Sequence, residues 1–145
     1  MVHPGWTLHH RARSPSIKLQ KQWGEAMKFF IGVLAANLIF ETLAGVVLIT
    51  GDLGLSAEVM APEGMWGMNY GFAALAIASA LIWIWPHRTS FAATGVILGV
   101  LITFHAGLFI ALMLAGNQLT PAILHLTLGV LCLVAWLRRA TWCSS

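Results

Sequence analysis

The stretch VLITFHAGLFIALMLAG, residues 100–116, decides the fold, because a single ionisable side chain, His105, interrupts an otherwise apolar run. The run belongs to a longer apolar segment over residues 91–115, and a helix needs about 20 apolar residues to cross about 30 Å of hydrocarbon. Three similar segments cover residues 29–50, 66–85 and 119–137. A helix satisfies its own backbone hydrogen bonds in lipid. The pattern therefore predicts an all-α protein with four transmembrane helices.

The composition also indicates a membrane protein. Of the 145 residues, 59% are hydrophobic and only 9% are charged, whereas a soluble domain carries about 25% charged residues. The net charge of +3 does not indicate a nucleic-acid partner, because the basic residues lie at the ends of apolar runs and do not alternate with aromatic residues. The partner that the composition predicts is the lipid bilayer.

The basic residues predict the orientation of the chain in the membrane. All of them fall on one side of the predicted helices: Arg11, Arg13, Lys18, Lys21, Lys28, Arg88, Arg138 and Arg139. The opposite side carries Asp52, Glu58 and Glu63. Lysine and arginine are enriched in cytoplasmic loops, and the connections at 86–90 and 116–118 are too short for anything but antiparallel neighbours. We therefore predict an integral, antiparallel four-helix bundle in the bacterial inner membrane, with both termini in the cytoplasm.

The chain divides into a membrane domain and two tails. Residues 27–139 hold the four helices, and residues 140–145 form a short C-terminal tail. Residues 1–26 are polar and show little periodicity, which predicts a disordered tail with a short interfacial helix over residues 16–26. A mis-assigned start is the alternative, because Met27-Lys28-Phe29-Phe30 is itself a typical beginning for a bacterial membrane protein.

Polar residues inside the apolar segments predict a buried pocket. The helical rise places His105 about 15 Å, Glu41 about 14 Å and His125 about 9 Å below the outer boundary. Asn37 lies one helical turn from Glu41 and shares its face, and Asn69 belongs to the second helix. Because a charge at mid-membrane costs at least about 2.5 kcal/mol, these side chains are expected to turn toward one another. The predicted pocket in the outer half of the membrane comprises Asn37, Glu41, Asn69, His105 and His125.

Small residues on each segment predict which helix faces pack together, since small side chains let helices approach closely in lipid. The predicted stripes are Asn37, Glu41, Ala44 and Gly45 on the first helix, Asn69, Ala73, Ala76 and Ala80 on the second, Gly95, Gly99, Thr103 and Ala106 on the third, and His125, Gly129, Cys132 and Trp136 on the fourth. His105 lies about 100° away from the third stripe, so this stripe does not direct it inward.

Three functions compete for the polar set. One is an accessory or small-solute-handling membrane protein, because intramembrane Glu and His are common in proton relays. The alternative is a metal- or haem-binding redox protein, since Glu41, His105 and His125 are a plausible ligand set for a transition metal. A structural role in packing is the third, and no cofactor is expected on that reading. The chain lacks GxSxG, HExxH, GxGxxG and P-loop motifs, which argues against a typical enzyme.

The layout resembles small four-helix bacterial membrane proteins of the DoxX-like kind. The resemblance rests on the size, on ETLAGVVL at residues 41–48, on APEGMWGMNYGFAAL at residues 61–75, and on the short later hairpins. It covers residues 27–139 and is architectural, so it assigns no site residue. The resemblance implies an accessory subunit of a larger membrane complex, of respiratory or redox type. A homo-oligomer is a separate expectation, because four short helices alone make a narrow transporter.

Overall fold

The structure, a computed structural model, describes residues 17–50, 62–116 and 118–143. These residues form the α-helices α1 (Ile17–Thr50), α2 (Pro62–Ile84), α3 (Phe91–Ala115) and α4 (Leu119–Arg138), with 3-10 turns at Trp85–His87 and Arg139–Thr141. The described part of the chain contains no strand. Each of the four α-helices contains a segment long and apolar enough to cross a membrane. The prediction of an all-α chain with four such helices is confirmed.

Helix α1 begins earlier than the apolar pattern predicts. It starts at Ile17, so residues 17–26 continue the helix and do not form part of a separate tail. The segment contains two Lys, two Gln, one Leu, one Glu and one Ala, which are good helix formers, and Glu25 lies 3.7 Å from Lys28 on its exposed face. Ala26 is buried together with Phe30, which anchors this extension to the core. Residues 1–16, the rest of the predicted tail, lie outside the described residues.

Both ends of α3 are fixed by local hydrogen bonds. The Ser90 hydroxyl accepts a hydrogen bond from the Ala93 amide at 3.3 Å, which caps the N-terminus. At the other end Gly116 adopts a left-handed conformation with φ of 82°, a conformation that glycine adopts without steric cost. These two signals set the length and register of α3, and with them the depth of His105.

The helices pack in pairs, α1 mainly against α2 and α3 mainly against α4, while α1 and α4 join the two pairs. The closest approach is between Gly45 of α1 and Gly71 of α2. A Cβ on Gly71 would lie 2.8 Å from the Gly45 carbonyl oxygen, and a Cβ on Gly45 would lie 2.9 Å from the Gly71 carbonyl oxygen. The two backbones therefore touch one turn after Glu41, and only glycine fits there.

The contacts between α3 and α4 run in opposite chain order. Gly95, near the start of α3, lies against the Arg139 side chain, which follows α4. Further along α3, His105 lies against Gly129, where an added Cβ would be 3.3 Å from the His105 Cβ. The absence of a side chain at Gly129 lets α4 approach the histidine closely.

The predicted small-residue stripes are wrong for α2 and α3. The buried residues are Gly71, Ala74, Ala78 and Leu81 on α2, and Thr94, Leu98, Leu101 and His105 on α3. Ala73, Ala76 and Ala106 are exposed. Exposing a small apolar side chain to lipid costs little free energy, because lipid is as apolar as the side chain. Size alone therefore does not mark the packed face, and His105 lies on the buried stripe itself.

The predicted C-terminal tail folds back into the protein. After the turn at Arg139–Thr141, Trp142 is only 2% exposed and stacks on Phe30 of α1 with ring centroids 5.1 Å apart. The Cys143 sulfur lies 3.1 Å from the Thr94 hydroxyl. Trp142 is the most apolar side chain of this segment, and burying its ring offsets the entropy of ordering the last residues. Residues 144–145 lie outside the described part.

We predict that Gly71→Val destabilises the protein by about 2 kcal/mol or more, because overpacking of a close crossing typically costs about 1–3 kcal/mol and the Gly45 backbone cannot rotate away. Gly107→Val is the matched control, since a Cβ at Gly107 meets nothing within 4 Å. Thermal unfolding in detergent measures both variants. Equal melting temperatures would show that the α1–α2 crossing does not need glycine.

We also predict that Trp142→Ala costs about 3 kcal/mol, the lower end of the range for buried Trp truncation. Trp83→Ala is its control, because Trp83 is 77% exposed and a lipid-facing ring loses little on truncation. Chemical unfolding in detergent, followed by circular dichroism, compares the two. A Trp142→Ala variant as stable as Trp83→Ala would contradict the folded-back C-terminus.

Candidate metal centre

Three helices bring four polar side chains to one place in the core. Helix α1 contributes Asn37 and Glu41, α3 contributes His105, and α4 contributes His125. The first three are 0% exposed and His125 is 4% exposed. Asn37 and Glu41 lie one helical turn apart on the same face, so α1 supplies both from a single stripe.

The prediction that Asn69 lines this pocket is wrong, because Asn69 is exposed. Helix α2 packs through Gly71, Ala74 and Ala78. At about 100° per residue, Asn69 lies about 180° around the helix from Ala78. The close crossing at Gly71 determines which face of α2 is inside, and that face excludes Asn69.

The ionisable side chains converge on one point. The Nδ1 atoms of His105 and His125 are 2.9 Å apart, and Glu41 Oε1 lies 3.9 Å and 4.0 Å from them, respectively. A point equidistant from these three atoms lies about 2.1 Å from each, within the range of about 2.0–2.2 Å for zinc bound to nitrogen and oxygen. This point lies in the plane of the three atoms, and a tetrahedral arrangement with ligands about 3.4 Å apart requires shifts of about 0.5 Å. The three side chains can therefore coordinate one metal ion after a small rearrangement.

Asn37 determines the protonation of His105. The Asn37 Nδ2 donates to the Val33 carbonyl oxygen at 2.9 Å, and this bond fixes the orientation of the amide. The Asn37 Oδ1 then faces His105 Nε2 at 2.6 Å. Because a carbonyl oxygen only accepts, His105 Nε2 carries the hydrogen. A neutral His105 therefore presents the lone pair of Nδ1 to the centre, as a metal ligand must.

His125 has two possible hydrogen positions. Its Nδ1 faces His105 Nδ1, and without an ion it must donate there, since His105 Nδ1 has only a lone pair to offer. With an ion between the rings, both Nδ1 atoms are ligands and the hydrogen of His125 sits on Nε2. The Nε2 of His125 makes no hydrogen bond within the described residues, so either state is available to it.

Glu41 is the least satisfied group of the site. Neither of its carboxylate oxygens has a hydrogen-bond partner among the described residues, although the side chain is completely buried. Buried polar groups are nearly always hydrogen-bonded, and a buried charge is paired or bound to a metal. A proton or a cation at the centre would compensate the carboxylate, and the two histidine lone pairs favour a cation.

Aromatic rings enclose the two histidines. Phe104 contacts His105 edge-on with centroids 5.4 Å apart, and Phe40 contacts His125 edge-on at 5.5 Å. Such apolar walls keep the local dielectric low, which strengthens an ionic bond between a metal and Glu41. Sequence reasoning missed both phenylalanines. Each lies beside a named polar residue in the chain, but apolar rings are too common in these segments to be a signal.

Cys132 lies at the edge of the site without joining it. Its sulfur is 3.6 Å from Asn37 Nδ2, so it contacts the amide that holds His105. The thiol is buried and forms no disulfide. It helps to position Asn37, and it is not among the atoms that converge on the centre.

The arrangement does not fit a haem held by both histidines. Axial nitrogens on opposite faces of a haem lie about 4 Å apart, twice a metal–nitrogen distance of about 2.0 Å. The His105 and His125 Nδ1 atoms are 2.9 Å apart, and Glu41 occupies the space beside them. The side chains present a compact site for a single ion.

Comparisons with family models, with curated proteins and with solved structures found no match to this chain. The architectural resemblance to DoxX-like proteins therefore stays an expectation, and the function is argued from the geometry of the site.

Proposed function

We propose that this chain is an integral membrane protein that binds one divalent transition-metal ion between Glu41, His105 and His125. The observation that carries the proposal is the buried carboxylate of Glu41, which has no hydrogen-bond partner among the described residues and lies 3.9–4.0 Å from two histidine nitrogens. Two imidazoles and one carboxylate form a ligand set typical of zinc and of non-haem iron. The absence of a thiolate among the three ligands favours these ions over Cu(I).

The proposed setting is the bacterial inner membrane, with an antiparallel bundle and both termini in the cytoplasm. Basic side chains resting on aromatic rings support this orientation. Arg88 lies over the Trp85 ring at 4.8 Å, and Arg139 lies over the Trp136 ring at 3.9 Å. Such arginine and tryptophan pairs are typical of membrane interfaces, and an excess of arginine and lysine marks the cytoplasmic one. The metal centre then lies in the outer half of the membrane.

An accessory protein that handles protons or a small solute is the second candidate. It is favoured by the hydrogen-bonded pair of histidines beside Glu41, in which His125 can pass its Nδ1 proton to His105 Nδ1 across 2.9 Å when its own Nε2 takes up a proton, without any metal. In that case the Glu41 carboxyl is protonated, and the protein acts alone, as a homo-oligomer or within a larger membrane complex. A purified protein that takes up no metal would favour this candidate.

We predict that the protein purified in detergent binds one Zn²⁺ or Co²⁺ per chain, and that Glu41→Gln and His125→Ala each lower the affinity more than about 100-fold, since losing even an outer partner typically costs about 10–100-fold. Competition with a chromophoric chelator measures the affinity. His3, His9 and His10 are replaced by alanine throughout, so that no tail histidine contributes. His87→Ala is the matched control, because His87 is exposed.

The same titration has an expected pH dependence. Protons compete with the metal for Glu41 and the histidines, so the affinity falls as the pH falls. Glu41→Gln removes one competing group and flattens the dependence on the acidic side. Binding that is unaffected by both Glu41→Gln and His125→Ala would place the metal elsewhere and end the proposal.

We predict that Asn37 acts as a positioning residue for His105. Asn37→Leu removes the acceptor of the Nε2 hydrogen and lowers the metal affinity about 10–100-fold. Asn37→Asp keeps an acceptor oxygen and adds a negative charge beside His105, so its metal affinity is expected to be at least that of the parent protein, which a purely structural role would not explain. Thermal unfolding of the metal-free variants is the control for folding. Equal affinities of Asn37→Leu and the parent protein would contradict the assigned tautomer.

A further inference from the structure

A cavity of about 470 Å³ connects the proposed metal centre with one end of the protein. We name it the vestibule. Its walls come from α1 through Phe40 and Ala44, from α2 through Tyr70, from the end of α3 through Leu112, and from Gln118 in the turn that follows. His125 lies at its floor. Because Gln118 directly precedes α4, the vestibule opens at the turn between α3 and α4.

The vestibule reaches the centre at His125. His125, a proposed ligand, lines it directly. On α1, Phe40 and Ala44 lie on either side of Glu41 in the chain, and both line the cavity. A molecule in the vestibule is therefore next to His125, one of the proposed ligands.

The proposed ion needs one more ligand and one more negative charge. Three protein ligands leave a fourth tetrahedral position open, as in catalytic zinc sites. A divalent ion bound to one carboxylate and two neutral imidazoles carries a net charge of +1. The other acid whose side chain is described, Glu25, is exposed, pairs with Lys28 and lies more than about four helical turns from Glu41. An exogenous monoanion would supply both the ligand and the charge.

The size and lining of the vestibule restrict this anion. Its volume greatly exceeds the roughly 30 Å³ of one water molecule, so a hydroxide or halide would leave most of it unfilled. Its walls are predominantly apolar, with the Tyr70 hydroxyl and the Gln118 amide as the polar groups besides His125. An anion with an aliphatic body fits such a cavity, because burying the body removes apolar surface from water.

We propose that the vestibule binds a small aliphatic monocarboxylate, whose carboxylate takes the open position on the metal and whose chain lies between Phe40, Ala44 and Leu112. This inference rests on the proposed metal centre. It goes beyond that centre by assigning the class of ligand and the route by which the ligand enters, from the turn between α3 and α4.

The test uses the full chain in detergent, loaded with Co²⁺ and with the tail histidines replaced by alanine. Acetate, butanoate and hexanoate are titrated while the visible absorption of Co²⁺ is recorded. Each carboxylate is expected to change the spectrum, with an affinity that rises about fourfold per added CH₂. Butan-1-ol is the uncharged control and is expected to leave the spectrum unchanged, since it brings no negative charge to the ion.

Two variants locate the binding site. Ala111→Phe and Leu112→Trp, both at positions lining the vestibule, are expected to keep Co²⁺ loading but to lower the butanoate affinity more than about tenfold and to abolish the dependence on chain length. Ala92→Phe is the matched control, because Ala92 is exposed and lies at the start of α3, whereas the vestibule lies at its end. It is expected to bind butanoate like the parent protein.

Two failures are distinguishable. A protein that loads Co²⁺ but shows no spectral change with any carboxylate, or an affinity that does not depend on chain length, overturns the vestibule proposal and leaves the metal centre standing. A protein that does not load Co²⁺ overturns the metal centre and the vestibule with it. The chain-length series is measured on the otherwise unmodified protein, so it decides the proposal even when a vestibule variant does not fold.

Discussion

The buried carboxylate of Glu41 is the constraint on which the rest of this structure depends. A charged carboxylate at mid-membrane depth costs several kcal/mol unless something compensates it, and the described residues offer it no hydrogen-bond donor. What they offer are two histidine nitrogens at 3.9 Å and 4.0 Å. The packing of α1, α3 and α4 is arranged so that these three groups share one point. A cation at this point would offset most of the free-energy cost of burying the charged carboxylate.

Several features of the fold keep that point in place. The caps of α3 at Ser90 and Gly116 set the depth of His105, and the glycine at 129 lets α4 approach it. The crossing of Gly45 and Gly71 fixes α2 against the helix that carries Glu41. At the other end the stack of Trp142 on Phe30 ties the C-terminus to α1. Close backbone contacts and complementary shapes hold the helices together, because lipid provides little hydrophobic drive between helices.

The sequence predicted the relative levels of Glu41 and His105 along their helices. It predicted only in part which side chains point into the bundle. The helical rise alone placed Glu41 and His105 within about 1 Å of the same level, and their side chains do meet. The inward face of α2 could not be found, because the exposed side of that helix is as apolar as its buried side. The Asn69 prediction failed for this reason. In water the polar face would have marked the outside.

Other features were hidden for a different reason. A helix over residues 16–26 was predicted, but its continuity with α1 and the burial of Trp142 depend on contacts with Phe30 and its neighbours, and such distant contacts leave no periodic trace in the sequence. The same holds for Tyr70, which lines the vestibule although nothing in its own segment distinguishes it. The proposed ligands could be predicted from the sequence because ionisable residues are rare in apolar segments. The cavity beside them could not, because its lining residues are common in such segments.

Because Asn37 is neutral, it leaves the net positive charge of the proposed centre unchanged. Histidine ligands are often held by a carboxylate on the outer ring nitrogen, and here a neutral amide takes that place at 2.6 Å. A carboxylate at this position would bring the total charge of a divalent site to zero. The amide fixes the same tautomer of His105 without adding charge, so the proposed centre keeps one positive charge in a medium that tolerates none. That residual charge is the physical reason for the site to attract a monoanion through the vestibule.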